Sequence, residues 1–158
     1  MRFLISAVIA ALSATPALAC DVARTGDIEN EHAWSRVSVS IDRPGVVNLT
    51  IRNSGAADDV LTGITTTVAD MAMLHETVVA DGIASMPHVL SVPVPAGGTI
   101  ALEPGGFHAV LIGLTGTLEK GATFPVTLTF RPAGAVTVDV ESPGMGAKGP
   151  ECQPAAPL

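Results

Sequence analysis

The 158-residue sequence contains no tyrosine, one tryptophan, four phenylalanines and only two cysteines. Its eight basic residues, which form no cluster, stand against fifteen acidic ones. An acidic chain without a basic patch is a poor partner for nucleic acid or for an anionic membrane surface. The sequence also lacks a nucleophile elbow, a phosphate-binding glycine loop and a catalytic Cys–His arrangement. These absences argue against an enzyme.

The amino terminus has the pattern of an export signal. Arg2 precedes an apolar run over residues 3–12, and Ala17-Leu18-Ala19 is a small-residue cleavage site. We therefore predict a secretory signal peptide over residues 1–19 and a periplasmic location; the apolar run is too short to span a bilayer. A lipid-modified Cys20 is the rival interpretation, disfavoured because Ala17 stands where a lipoprotein signal more often has leucine.

The two cysteines, Cys20 and Cys152, lie at the two ends of the mature chain. In an oxidising compartment they could form a disulfide, but their spacing does not decide whether they do. Without Arg2 the mature chain has seven basic and fifteen acidic residues, a net charge near −8.

Short β-type runs separated by glycine- and proline-containing turns fill the middle of the sequence, and no helical period appears there. The runs cover residues 34–41, 46–53, 60–66, 71–78, 86–94, 99–104, 107–114, 124–130 and 135–141. About nine such strands predict an all-β fold, a Greek-key β-sandwich or barrel, in one domain over residues 20–141. The Pro/Gly-rich residues 142–158 predict a flexible tail. His32 precedes the first predicted strand and is interpreted as a solvated histidine.

Histidines and methionines recur as Met-x-His in the stretch "MLHETVVADGIASMPHV" at residues 73–89. Because residues i and i+2 of a strand project from the same face, each methionine shares a face with its histidine. A further histidine begins "FHAVLIGL". Thioether and imidazole donors without thiolate or carboxylate suit Cu(I) better than Zn, Mg or Ca. The candidate ligands are Met73, His75, Met86, His88 and His108.

Taken singly, each methionine is more often core packing and each histidine more often a surface residue. The spacing alone does not show that three segments meet.

The spacing His75-x10-Met86-x21-His108 resembles the signature of the periplasmic copper chaperone family PCu(A)C. The segments "LHET", "SMPHV", "VPAGG", "LEPGGFHAVLIGL", "LEKGATFPVTLTF" and "AGAVTVDV" add to the resemblance, which covers residues 34–141. It implies a cupredoxin-like β-barrel that holds Cu(I) between two histidines and two methionines. It also implies a monomeric metallochaperone that delivers copper to an acceptor protein, such as the copper centre of a respiratory oxidase.

One position departs from that family pattern, because Val110 stands where the resemblance calls for the second methionine. Valine has no lone pair, so His88 or Met73 would have to complete the site, or the site would be three-coordinate. The alternative is a degenerate, metal-free β-sandwich that acts as a protein-interaction module. A blue-copper electron carrier is excluded, because such sites need a cysteine thiolate and neither cysteine lies near a strand-borne histidine.

Overall fold

The computed structural model describes residues 21–150. Within that range all regular secondary structure is β-strand, in thirteen strands. They are β1 (Ala23–Thr25), β2 (Ile28–Ser35), β3 (Gly45–Asn53), β4 (Asp59–Thr66), β5 (Ala69–Glu76), β6 (Val78–Ala80), β7 (Ile83–Ser85), β8 (His88–Val89), β9 (Val92–Val94), β10 (Thr99–Leu102), β11 (Phe107–Leu114), β12 (Thr123–Arg131) and β13 (Gly134–Glu141). The predicted signal peptide and both cysteines lie outside the described residues.

Eleven of these strands form one sheet, with the order β8-β5-β11-β3-β2-β13-β12-β4-β9. Strand β1 pairs with β2, and β10 pairs with β3. All pairings are antiparallel except that between β13 and β2. Strands β6 and β7 form a separate two-stranded hairpin.

The long sheet curls into a nearly closed barrel. Strands β4 and β5 lie far apart in the sheet order but pack against each other. At the end of the sheet formed by β9, the Asn53 side-chain amide donates to the Val94 carbonyl and so connects β9 to β3. The all-β, cupredoxin-like barrel expected from the sequence is therefore confirmed.

The barrel interior is mainly aliphatic, as the scarcity of aromatic residues requires, although Phe124 and Phe130 also belong to it. Alternate residues of the long strands point inward, and their side chains form one buried cluster. Strand β3 contributes Val47, Leu49 and Ile51, whereas β12 contributes Val126, Leu128 and Phe130. Burial of this apolar surface is the main stabilising term of the fold.

Both predicted ends of the first long strand are wrong. The first long strand covers residues 28–35, not 34–41; beyond it only Ser38 makes a β-bridge, to Leu118. His32 consequently lies inside β2 and not before it. It has a φ of 58°, at the point where the pairing of β2 with β3 shifts register.

The strand count is higher than nine because the pattern did not reveal the short strands β1, β6 and β7 and did not separate β8 from β9. The predicted run over residues 86–94 splits into β8 and β9, which lie at opposite ends of the sheet order. A hairpin also occupies part of the interval before it, with the turn at Asp81 and Gly82. Strand periodicity cannot predict such a split, because both halves alternate in the same way.

The first residues of the Pro/Gly-rich tail are attached to the barrel. Ser142 and Pro143 are buried, and the Ser142 amide donates to the Ala122 carbonyl while its carbonyl accepts from Gly121. No helix within residues 21–150 has the length and apolarity needed to cross a membrane.

Candidate metal centre

Three histidines lie side by side on three successive strands. Residue His75 of β5 is the Cα partner of His108 on β11 and of His88 on β8. The ring centroids of His75 and His108 are 5.8 Å apart, and those of His75 and His88 are 5.9 Å apart. Antiparallel pairing has thus brought together imidazoles that are 13 and 33 positions apart in the sequence.

The His75 ring is held in one orientation, and its hydrogen bond selects one tautomer of the neutral ring. Its Nδ1 lies 3.0 Å from the Met86 carbonyl oxygen. A carbonyl only accepts hydrogen bonds, so Nδ1 carries the proton and Nε2 keeps its lone pair. That Nε2 is buried and has no hydrogen-bond partner among residues 21–150. A buried acceptor without a partner is costly, and a bound metal ion would satisfy it.

The His108 ring shows the same arrangement. Its Nδ1 lies 3.1 Å from the Gly106 carbonyl oxygen, so this ring also keeps the Nε2 lone pair free of a proton. The side chain is only 6% exposed. Metal-binding histidines commonly donate the other ring N–H to a carbonyl in this way, which sets the tautomer and the ring direction.

His88 differs from these two residues. It is exposed, and no hydrogen bond within residues 21–150 involves its ring. Because β8 flanks β5 on the side away from β11, His88 also lies on the opposite side of His75 from His108. The structure therefore brings His88 next to one of the two oriented histidines, not next to both.

Met86 is positioned by its backbone, and its side chain is 60% exposed. It follows the β6–β7 hairpin, whose turn residues Asp81 and Gly82 have φ values of 53° and 78°. Positive φ at both residues matches the Asp-Gly turn that favours tight hairpins. The hairpin returns the chain to β5, where the Met86 carbonyl accepts the His75 ring proton.

Met73 lies on the same face of β5 as His75, and its Cα partner on β11 is Val110. It is partly buried. Met73 and His88 also line one shallow cavity of about 180 Å³. Val110, which occupies the position where the family pattern has a methionine, thus lies directly opposite Met73.

Within residues 21–150, no group of three or more His, Cys, Asp or Glu side chains is arranged to hold a metal ion. The three imidazoles form a row across the sheet and do not surround one point. A metal bound beside His75 and His108 would therefore recruit other donors, and thioether sulfur is one that the neighbouring methionines can supply. Thioether donors favour a soft ion.

The comparison with protein families decides the chain's affiliation. The sequence model of the family described as "Putative lipoprotein LpqE-like" matches residues 28–142. The chain belongs to the LpqE-like family. A protein of Leifsonia xyli subsp. xyli (strain CTCB07), described as "Putative lipoprotein Lxx21020", is 37% identical over 91 residues. That match covers 57% of this chain and 55% of the relative, so it spans about half of the relative's length.

Solved structures of PCuAC domains share the fold of this LpqE-like protein. The copper-bound PCuAC domain from PmoF2 has a TM-score of 0.67 and 22% identity, covering 78% of this chain and 98% of that one. The solution structure of CuI-DR1885 from Deinococcus radiodurans has a TM-score of 0.56 and 28% identity, covering 70% and 75%. The resemblance to the PCu(A)C family noted in the sequence is confirmed.

The two carbonyl groups that orient the imidazoles could not be predicted from residue types, since every residue has a carbonyl. A weak signal existed for one of them. Gly106 belongs to the turn "PGGFH", and a tight turn immediately before His108 brings its own carbonyl groups close to that ring.

Proposed function

We propose that this protein is a periplasmic copper carrier that binds Cu(I) through His75 Nε2, His108 Nε2 and the Met86 sulfur. The observation that carries the proposal is the buried Nε2 of His75, which has no hydrogen-bond partner in the described part of the chain and whose ring centroid lies 5.8 Å from that of a second, similarly oriented imidazole. The copper-bound and Cu(I)-bound PCuAC neighbours support the choice of metal. Copper is the cargo here, not a catalytic group.

The donor set suits a carrier. Thioether and neutral imidazole ligands are soft enough for Cu(I), and they leave the ion its positive charge. An acceptor site with thiolate ligands would bind the ion more tightly and could take it by ligand exchange. Met86 is the exposed member of the set, so the exchange would begin on its side. The proposed recipient is a copper-acceptor protein, such as a respiratory oxidase copper centre or one of its assembly factors.

Competition with a chromogenic Cu(I) chelator tests the site. His75→Ala and His108→Gln are each expected to weaken Cu(I) binding by at least about a hundredfold, which corresponds to about 2.7 kcal/mol. His32→Ala is the matched control, since His32 lies on β2, three places from β5 in the sheet order. Wild-type affinity in both site variants would defeat the proposal.

A second candidate function is a metal-free protein-interaction module, which Val110 favours by removing one thioether from the expected site. Metal analysis after incubation with Cu(I) distinguishes the two candidates. One copper per wild-type chain supports the carrier. No copper in the wild type, with one copper per chain in Val110→Met, supports the degenerate module.

We also propose that residues 1–19 direct export and are removed. The family and the Leifsonia relative are described as lipoproteins, which favours a lipid on Cys20 over a disulfide with Cys152. Labelling with a palmitate analogue should mark the wild type and not Cys20→Ser. An unlabelled wild type recovered in the soluble periplasmic fraction would contradict the lipid anchor.

A further inference from the structure

We propose that Met73 supplies the second thioether of the copper site, replacing from the neighbouring strand the sulfur that position 110 lacks. The inference rests on the proposed function, because it assigns one more ligand to the same ion. It concerns a residue to which the family signature gives no role.

The register of β5 and β11 carries the argument. His75 pairs with His108, Leu74 with Ala109, and Met73 with Val110. The middle pair points into the barrel, since Leu74 and Ala109 are buried core residues. The other two pairs therefore share the outer face and form the corners of a rectangle. Two corners are the imidazoles, and the other two are positions 73 and 110.

A methionine at either remaining corner has equivalent access to the ion. Residues directly opposite each other in an antiparallel pair have Cβ atoms about 4.5–5.5 Å apart. The methionine side chain is unbranched and has three rotatable bonds, so its sulfur can compensate for the distance between the two facing Cβ positions. Met73 is two residues from His75 on the same face of β5, just as a methionine at position 110 would be two residues from His108 on the same face of β11.

The other nearby donor side chains, Met71 and His88, are less well placed to bind the same ion. Met71 lies one further row along β5, opposite Ile112, and is 52% exposed. His88 lies beyond His75 as seen from His108, and no carbonyl orients its ring. Met73 is partly buried and shares its row with Val110. With Met73 the donor set is two imidazoles and two thioethers, which suits Cu(I).

The decisive experiment moves the methionine from position 73 to position 110. Cu(I) affinity is measured by chelator competition, and sulfur neighbours are counted by X-ray absorption, for the wild type, Met73→Leu and Met73→Leu/Val110→Met. Leucine nearly preserves the volume of methionine, and a thermal melt checks the fold. Met73→Leu should bind about tenfold more weakly and lose one of two sulfur neighbours. The double variant should regain both the affinity and the sulfur.

Two further variants serve as controls. Met71→Leu removes a thioether from the same face of β5 one row away, and its affinity and sulfur count should not change. His88→Ala tests the rival fourth ligand. A tenfold loss in His88→Ala together with wild-type affinity in Met73→Leu would assign the fourth place to His88 and overturn the inference.

The remaining outcomes are also decisive. A double variant as weak as Met73→Leu would overturn the inference, because Met73 would then act through packing and not as a ligand. Wild-type affinity and two sulfur neighbours in Met73→Leu would overturn it while the carrier function stood. A wild type that bound no Cu(I), or was unaffected by His75→Ala, would remove the proposed function itself.

Discussion

The inner and outer faces of β5 and β11 differ in their side chains: residues of the inner face form the core, and residues of the outer face include the candidate metal ligands. On the inner face, Leu74, Ala109 and Leu111 are 3%, 0% and 0% exposed and belong to the barrel core. On the outer face, the same strands carry two histidines whose free nitrogens face the proposed ion. The inner face is built for close packing, whereas the outer face leaves a buried nitrogen unpartnered. We therefore expect single substitutions to affect stability and metal binding separately.

Leu111→Ala should have the largest effect and confine it to stability. Removing a fully buried leucine costs about 2–5 kcal/mol, measured as the free energy of unfolding in denaturant. Because the side chain points away from the histidines, the Cu(I) affinity of the folded protein should stay within about twofold of wild type. A parallel loss of affinity would show that the two faces are coupled.

His75→Ala should have the opposite profile. We expect the hundredfold loss of Cu(I) affinity described above, with the stability of the metal-free protein changed by less than about 1 kcal/mol. The reason is that the substitution loses one hydrogen bond but also removes a buried nitrogen without a partner. Thermal melts without metal make the comparison, and a marked destabilisation would identify His75 as a structural residue.

Gly113→Ala tests the point where the alternation of β11 breaks. Gly113 has a φ of +68°, and a Cβ added there would lie 2.5 Å from the Asp70 side-chain oxygen. The next residue, Leu114, is buried where strict alternation would expose it. We expect a loss of about 1–3 kcal/mol. Gly116→Ala is the matched control, since its Cβ would meet no atom within 4 Å, and an equal loss there would contradict the explanation.

His88→Ala should have the smallest effect, less than about threefold on Cu(I) affinity. The ring is exposed and lies beside His75, outside the proposed ligand set. Chelator competition at constant pH measures the change. A loss of tenfold or more would extend the functional face to β8.

Much of the fold could be predicted because its signals are local. Alternating apolar residues and glycine- or proline-containing turns indicate strands. The bend that separates β8 from β9 could not be predicted, because the alternation continues through it. The register shift at His32 could not be predicted either: histidine is enriched at positive φ, but one such residue does not specify where the pairing of two strands shifts.

The donor atoms of the proposed site could be identified from the sequence, whereas their arrangement in space could not. Thioethers and imidazoles without carboxylates indicate a soft metal in any fold, and Val110 is visibly unable to bind one. Which methionine lies opposite Val110 depends on the register of two strands that are separated by thirty residues, 77–106. Register is selected by the packing of the whole inner face, so no local pattern contains it.

By itself, then, the order of residues determined a β-rich chain and the kinds of donor atom available to a metal. Only the nearly closed barrel decided that His75 lies between two other imidazoles, that its Nε2 is buried without a hydrogen-bond partner among residues 21–150, and that Met73 lies opposite Val110. The physical reason is that composition and periodicity act through neighbours in the chain. Strand pairing instead joins distant segments through hydrogen bonds and a common core.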